Sequence, residues 1–479
     1  MLFNSLQFPF FFLTVVGLYF AIPHRFRWIM LLAASYYFYM CWKIEYIVLI
    51  IGSTLIDYFT ALKMSRVSGR KEKRKYLMLS LASNLGILFF FKYFNFVSRS
   101  VAEAFSAWNI FYDAPLFDVL LPVGISFYTF QTLSYTIDVY NGRIPAEKHL
   151  GIFALYVAFW PQLVAGPIER THHLLPQFRQ RHAFDCRRVT DGLRLMLWGL
   201  FKKVVIADQL AVYVNQVYNH VDDYQGPALM IATFFFAIQI YCDFSGYSDM
   251  AVGSARVMGY DLMENFNRPY FAKSIREFWQ RWHISLSTWF RDYLYIPLGG
   301  NRAVKWRWYY NLFITFLVSG LWHGANWTFA IWGALHGFFL IVEIATGNCW
   351  QKAANFLFPN EQSFWNRAFR VCVTMLQVCF AWIFFRANTV EDALTILRKM
   401  FLFDSDVWLH VVGKGSLALS AMLVLILLAV HMKERGTAIN EYIGRLPAAA
   451  RWSVYAAAFW AIVISGVFGV KQEFIYFQF

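Results

Sequence analysis

Residues 227–250 read PALMIATFFFAIQIYCDFSGYSDM, and the character of this stretch decides the class of the chain. The apolar run from Pro227 suits a bilayer, since about 20 residues at 1.5 Å rise cross roughly 30 Å of hydrocarbon. Without leaving that run, the chain then carries Gln239, Tyr241, Asp243, Ser245, Ser248 and Asp249. Two carboxylates and several hydroxyls therefore sit where lipid would reject them. They must face a polar interior or a cavity formed by a broken helix. Two readings stay open: direct contact with a substrate, or satisfaction of backbone groups freed by a kink.

The rest of the chain has the same character. Of its 479 residues, 59% are hydrophobic, 20% aromatic and only 15% charged. Soluble domains are roughly 45–50% apolar and about 25% charged, so a water-soluble globule and a disordered chain are both excluded. Lys and Arg number 43 against 29 Asp and Glu, a formal charge of +14. The basic residues lie between apolar runs, as in the cytoplasmic loops of a polytopic protein, which argues against nucleic-acid binding. Cys41, Cys186, Cys242, Cys349, Cys372 and Cys379 are too scattered for a disulfide framework or a Cys-x-x-Cys metal site. No Walker loop, Gly-x-Ser-x-Gly elbow or His-Glu-x-x-His is present.

Apolar segments recur near 6–22, 27–42, 45–63, 77–97, 117–139, 148–168, 190–215, 227–257, 308–324, 326–346, 366–386, 415–432 and 452–470. They predict an all-α polytopic membrane protein with one domain over 1–479. The first run, Phe8–Ala21, reads as a membrane helix and not as a cleavable signal. The 66–75 loop, RVSGRKEKRK, carries six Lys or Arg, and 170–188 carries five Arg and three His. Both are expected in the cytoplasm, which puts the N-terminus outside. One span beyond 66–75, the loop 98–116 is expected outside, so only an odd number of crossings fits between it and 170–188. One of the segments 117–139 and 148–168 is therefore expected to be re-entrant, with breaks at Pro122–Gly124 and at Pro161 and Gly166-Pro167.

Two further clusters carry polar chemistry. At 100° per residue, Arg276, Gln280, His283, Ser287 and Arg291 share one face of 274–295, opposite Phe278, Trp282, Leu286, Trp289 and Tyr293. That spacing predicts one amphipathic helix lying at the membrane interface. In the hairpin beyond it, His323 and His336 each sit among glycines four apart, Gly320/Gly324 and Gly333/Gly337. Small residues at that spacing bring backbones together, so these histidines are expected between helices. Imidazole is the natural general base near neutral pH. A purely structural role is the alternative, and it is the expected one for His336. No compact zinc-ligand motif joins the histidines, so no metal is expected.

These residues resemble the membrane-bound O-acyltransferases, and among them the bacterial alginate O-acetyltransferase branch. The resemblance rests on Arg281-Trp282-His283 through Ser287, on Trp289 through Asn301, and on Leu321-Trp322-His323-Gly324 and Leu335-His336-Gly337. Tyr241–Asp249, Ala165–Ile168 and the Met1–Ser5 start also match. It implies a ring of roughly 11–13 tilted, partly re-entrant helices around a tunnel joining the two membrane faces. It further implies His323 as the catalytic histidine and His283 as the second active-site position. Trp322, Arg291, Asp243, Ser245, Asp249 and His336 would line or support the tunnel. No cofactor is bound permanently. Acetyl-CoA is the expected donor, and Arg170, Arg179 and Arg181 could attract its phosphates. The partners would be membrane lipid, a polysaccharide acceptor such as alginate and periplasmic acetyltransferase proteins, in a bacterial inner membrane. The competing readings are a secondary transporter or flippase and a non-catalytic scaffold subunit. The former predicts repeated halves, which the sequence lacks.

Overall fold

A computed structural model describes residues 1–118, 120–402, 411, 413–434, 439–466 and 474–475. Among these residues there are helices and turns and no β-strand. Among the described residues, seven helices are long and apolar enough to cross a membrane: Ile44–Arg66, Arg70–Ser106, Pro227–Met258, Trp327–Ala345, Phe364–Arg386, Lys414–Lys433 and Ala448–Ser465. The chain is an all-α polytopic membrane protein. Several apolar segments of the sequence are interrupted. The one near 148–168 forms Leu150–Ala158, breaks at Phe159 and resumes as the four-residue Trp160–Leu163 with Pro161 in its first turn. The one near 117–139 becomes helical only at Ile125, after Gly124 at φ 76°.

The chain forms two compact units. The first is Met1–Leu193 with Met250–Met263. One of its packing centres is Trp160, fully buried, with the rings of Phe3, Phe8, Phe11, Phe12 and Phe38 between 5.3 and 6.3 Å away. Its other centre is polar. Asp57 on the Ile47–Arg66 helix is fully buried. It accepts hydrogen bonds from Ser80 Oγ at 2.5 Å and from Asn84 Nδ2 at 3.0 Å, both on the Arg70–Leu88 helix. Ser53 Oγ in turn donates to Asn84 Oδ1 at 2.6 Å. Carboxylate, amide and hydroxyls thus satisfy one another where no water would.

The second unit is Arg194–Asp249 with Glu264–Phe479. Two of its features position the site. The first is the hairpin of Lys305–His323 and Trp327–Ala345. A Cβ on Gly320 would lie 2.3 Å from the Phe329 carbonyl oxygen, and one on Gly333 would lie 2.3 Å from that of Phe316. Nothing larger than hydrogen fits at either crossing point, so the two backbones touch as the glycine spacing predicts. Asn326 restarts the second helix by accepting the Thr328 N–H at 3.1 Å. The second feature is a π-helical stretch, Lys202–Ala207, which joins Cys186–Phe201 to Asp208–Tyr218.

Replacing Asn84 by Leu removes a donor from buried Asp57 and should lower stability by about 1–3 kcal/mol. Thermal unfolding in detergent measures it, and an unchanged midpoint would mean that the Asp57 cluster contributes nothing.

Candidate active site

The expected single helix over 274–295 does not form. Ile275–Arg281 and Ile284–Phe290 are separate seven-residue helices, followed by a π turn at Arg291–Tyr295. Between them His283 adopts φ 42° and ψ 55°, a left-handed conformation that costs a non-glycine residue on the order of 1–3 kcal/mol. Asn265 and Asn267 hold the break. The Ile284 N–H donates to the Asn265 carbonyl at 2.9 Å, and the Asn267 N–H to that of Arg281 at 2.9 Å. Rotating out of the helical register turns His283 away from the polar face and buries it completely. Trp282 is buried too, against the core of its unit.

His323 ends its helix, 2% exposed, just before the turn at Gly324. Its ring centroid is 6.4 Å from that of His283, although 40 residues separate them in sequence. Trp322 lies beside both, 5.0 Å from the His323 ring and 6.2 Å from the His283 ring. Aromatic walls fix each imidazole. Trp332 meets His323 edge-on at 5.0 Å and Phe385 lies 5.5 Å away. Phe244 meets His283 edge-on at 4.6 Å. Two imidazoles held this close in an apolar shell can pass a proton to and from a reacting hydroxyl, if one is placed between them.

The polar cluster on Pro227–Met258 has a different use from direct contact with these rings, and the helix carrying it runs on unbroken. Lys203 Nζ lies 2.5 Å from Asp243 and 2.8 Å from Asp208. Lys202 Nζ lies 2.9 Å from Ser245 Oγ and 2.8 Å from Asp249. Both lysines are 3% exposed, and the π-helical stretch is where these sequence neighbours turn inward together. Asp243 also accepts the N–H of Ile475 at 2.8 Å. Asp249 is the more exposed carboxylate. With Lys202, Glu264, Arg268, His431 and Glu434 it lines a cavity of about 340 Å³. The wall of that cavity includes Phe266, whose ring stacks 6.3 Å from His283.

His336 is fully buried and accepts a hydrogen bond from Trp279 Nε1 at 3.3 Å. The structure places it in the packing between the hairpin and the broken segment, with Phe278 and Trp332 also against it. Arg291 lies away from the histidines. It is exposed, pairs with Asp292 at 2.8 Å and borders a cavity of about 560 Å³ with Arg276, Ser287 and Ser319. In the first unit, Arg179 is half exposed and pairs with Glu147 at 2.5 Å, and Arg170 is buried. Asn265, Lys202 and Lys203 were not singled out in the sequence. For the lysines the signal was present, two adjacent cations inside the apolar run 190–215. For Asn265, in a loop, there was none.

The sequence profile of the membrane-bound O-acyltransferase family matches residues 148–385, which contain His283, His323 and His336. Over 409 residues the chain is 42% identical to the Pseudomonas aeruginosa protein named Probable alginate O-acetylase AlgI, covering 85% of this chain and 76% of that one. It is 36% identical over 434 residues to the Peptidoglycan O-acetyltransferase of Helicobacter pylori, 84% of this chain and 80% of that one. A more distant relative is the Teichoic acid D-alanyltransferase of Bacillus subtilis, 26% identical over 279 residues, 55% of this chain and 68% of that one.

Substituting Lys203→Met leaves Asp208 and Asp243 buried without their shared cation, and should cost about 3–5 kcal/mol. Adding Asp243→Asn should recover part of the loss. Melting temperatures of the purified single and double variants test this, and equal destabilisation of the two would refute the pairing.

Proposed function

The chain belongs to the membrane-bound O-acyltransferase family, and from that premise we propose that it carries acetyl groups to hydroxyls of an envelope or exopolysaccharide such as alginate. Its activity is that of an O-acetyltransferase. The observation that carries the reading of the site is the convergence of His283 and His323, 6.4 Å apart in an aromatic shell. In this reading acetyl-CoA is the donor, used from the cytoplasm, and the acceptor hydroxyl approaches from the opposite face.

His323 takes the proton of the acceptor hydroxyl as its oxygen attacks the thioester carbonyl. The tetrahedral intermediate then collapses, the C–S bond breaks, and the thiolate leaves with the proton that His323 returns. His283 aligns the reacting groups, and Trp322 fixes the distance between the two rings. The lysine–carboxylate pairs keep the Pro227–Met258 helix in place behind Phe244 and so behind His283. The site belongs to an inner-membrane protein with an outer N-terminus, supported by the basic loops 66–75 and 170–188. A periplasmic protein could receive the acetyl group before the polysaccharide does.

His323→Ala should abolish acetylation with the protein folded and inserted, since a positioned base contributes about 10²–10⁴-fold. His283→Ala should reduce it strongly and leave a residue, and His172→Ala, an exposed position, should keep wild-type activity. Acetyl content of envelope polysaccharide in a complemented deletion strain is the readout, with protein level measured alongside. Near-normal acetylation by well-expressed His323→Ala would favour the scaffold reading. For orientation, a Cys placed at Ser68 should resist an impermeant thiol reagent in intact cells. Labelling there would reverse the topology.

A further inference from the structure

Asn265 is 2% exposed and grips three consecutive residues at the helix break. Its backbone carbonyl accepts the Ile284 N–H at 2.9 Å. Its side-chain Oδ1 lies 3.1 Å from His283 Nδ1, 3.2 Å from the Ser285 N and 2.9 Å from Ser285 Oγ. The remaining group, Nδ2, donates to Ser248 Oγ at 3.2 Å. This arrangement sets the orientation of the amide. A backbone N–H can only donate, so the atom facing Ser285 N must be the oxygen and not the NH₂ group. An amide oxygen has no proton to give. The imidazole nitrogen facing it must therefore be the donor.

Resting on the reading that His283 takes part in acyl transfer, we infer that Asn265 is a positioning residue that holds the His283 proton on Nδ1 and keeps Nε2 as the acceptor. In the neutral ring one nitrogen donates and the other accepts. With Nδ1 committed to Oδ1, the lone pair sits on Nε2, on the side of the ring directed away from Asn265. His283 then offers the reaction an acceptor, able to orient or take up a hydroxyl proton, and not a second N–H donor. The same oxygen anchors Ser285, so the tautomer and the left-handed turn are fixed by one side chain. Neither Ser285 nor His283 can shift without loosening the other.

The test uses full-length protein in proteoliposomes, with acetyl-CoA and alginate oligosaccharide as probes and thiol release as the rate. Asn265→Leu, similar in size but without an acceptor, should lower kcat roughly 10²-fold and change KM for acetyl-CoA less than about threefold. Asn265→Asp keeps the acceptor and should retain kcat within about tenfold. Its carboxylate favours the imidazolium, so the acid limb of its pH–rate profile should move up by about one unit. Wild-type kcat in Asn265→Leu beside a strongly impaired His283→Ala would overturn this inference alone. Equal losses in Asn265→Leu and Asn265→Asp, with no shift of the pH profile, would also overturn it. Wild-type turnover by His283→Ala would instead overturn the histidine reading itself. A readout independent of turnover is the ¹⁵N shift pair of His283, identified by difference from His283→Gln. A protonated Nδ1 and a bare Nε2 are expected, and a protonated Nε2 in the neutral ring refutes the assignment.

Discussion

A bilayer core holds no water to take up a stray donor or charge, so each polar group the chain carries at depth must be met by another part of the chain. An unmet hydroxyl or amide in such a place costs several kcal/mol, and an unmet charge far more. Much of the interior follows from that constraint. In the first unit Asp57 is surrounded by Ser80 and Asn84, with Ser53 completing the amide. In the second, two lysines pair with the carboxylates of Asp208, Asp243 and Asp249 across neighbouring helices. The buried members of these sets engage one another, which makes them good fixed points for the backbone.

Against that fixed frame the two histidines are held differently. They are packed by Trp322, Trp332, Phe385 and Phe244, whose rings leave little room for an imidazole to turn. One histidine occupies the end of a helix and the other a break between two helices, places where the chain can change direction and let a ring project inward. The close crossing at Gly320 and Gly333 sets the position of His323, while Asn265 sets that of His283. An apolar cage of this kind strengthens whatever electrostatic contact forms inside it, because little solvent competes.

What the sequence made legible follows from periodicity. Apolar runs of membrane length gave the all-α class, and glycines four apart gave the tight hairpin around His323. Periodicity also misled. Residues 274–295 satisfy a helical face from end to end, and nothing in Trp282-His283 announces that a histidine will take φ 42°. The break is held by hydrogen bonds from Asn265 and Asn267, loop residues whose role depends on tertiary contact and leaves no repeat to count. Asp243 and Ser245 were legible as groups that lipid would reject. Their lysine partners, two adjacent cations inside the apolar run 190–215, were equally foreign to lipid and were not singled out.

The π-helical stretch at Lys202–Ala207 has a bearing on how such a chain can change over time. A π turn is an α-helix with one residue too many, so it is the natural product of a single-codon insertion. The wider turn absorbs the extra residue, so the helix on either side keeps its direction while the residues inside the turn are moved round the axis. Deleting one residue here would restore regular geometry and still move one lysine off its carboxylate, or carry Asp208 away from Lys203. The irregularity is thus locked in by the charges that it arranged, and a lineage could lose it only by replacing the three ion pairs together.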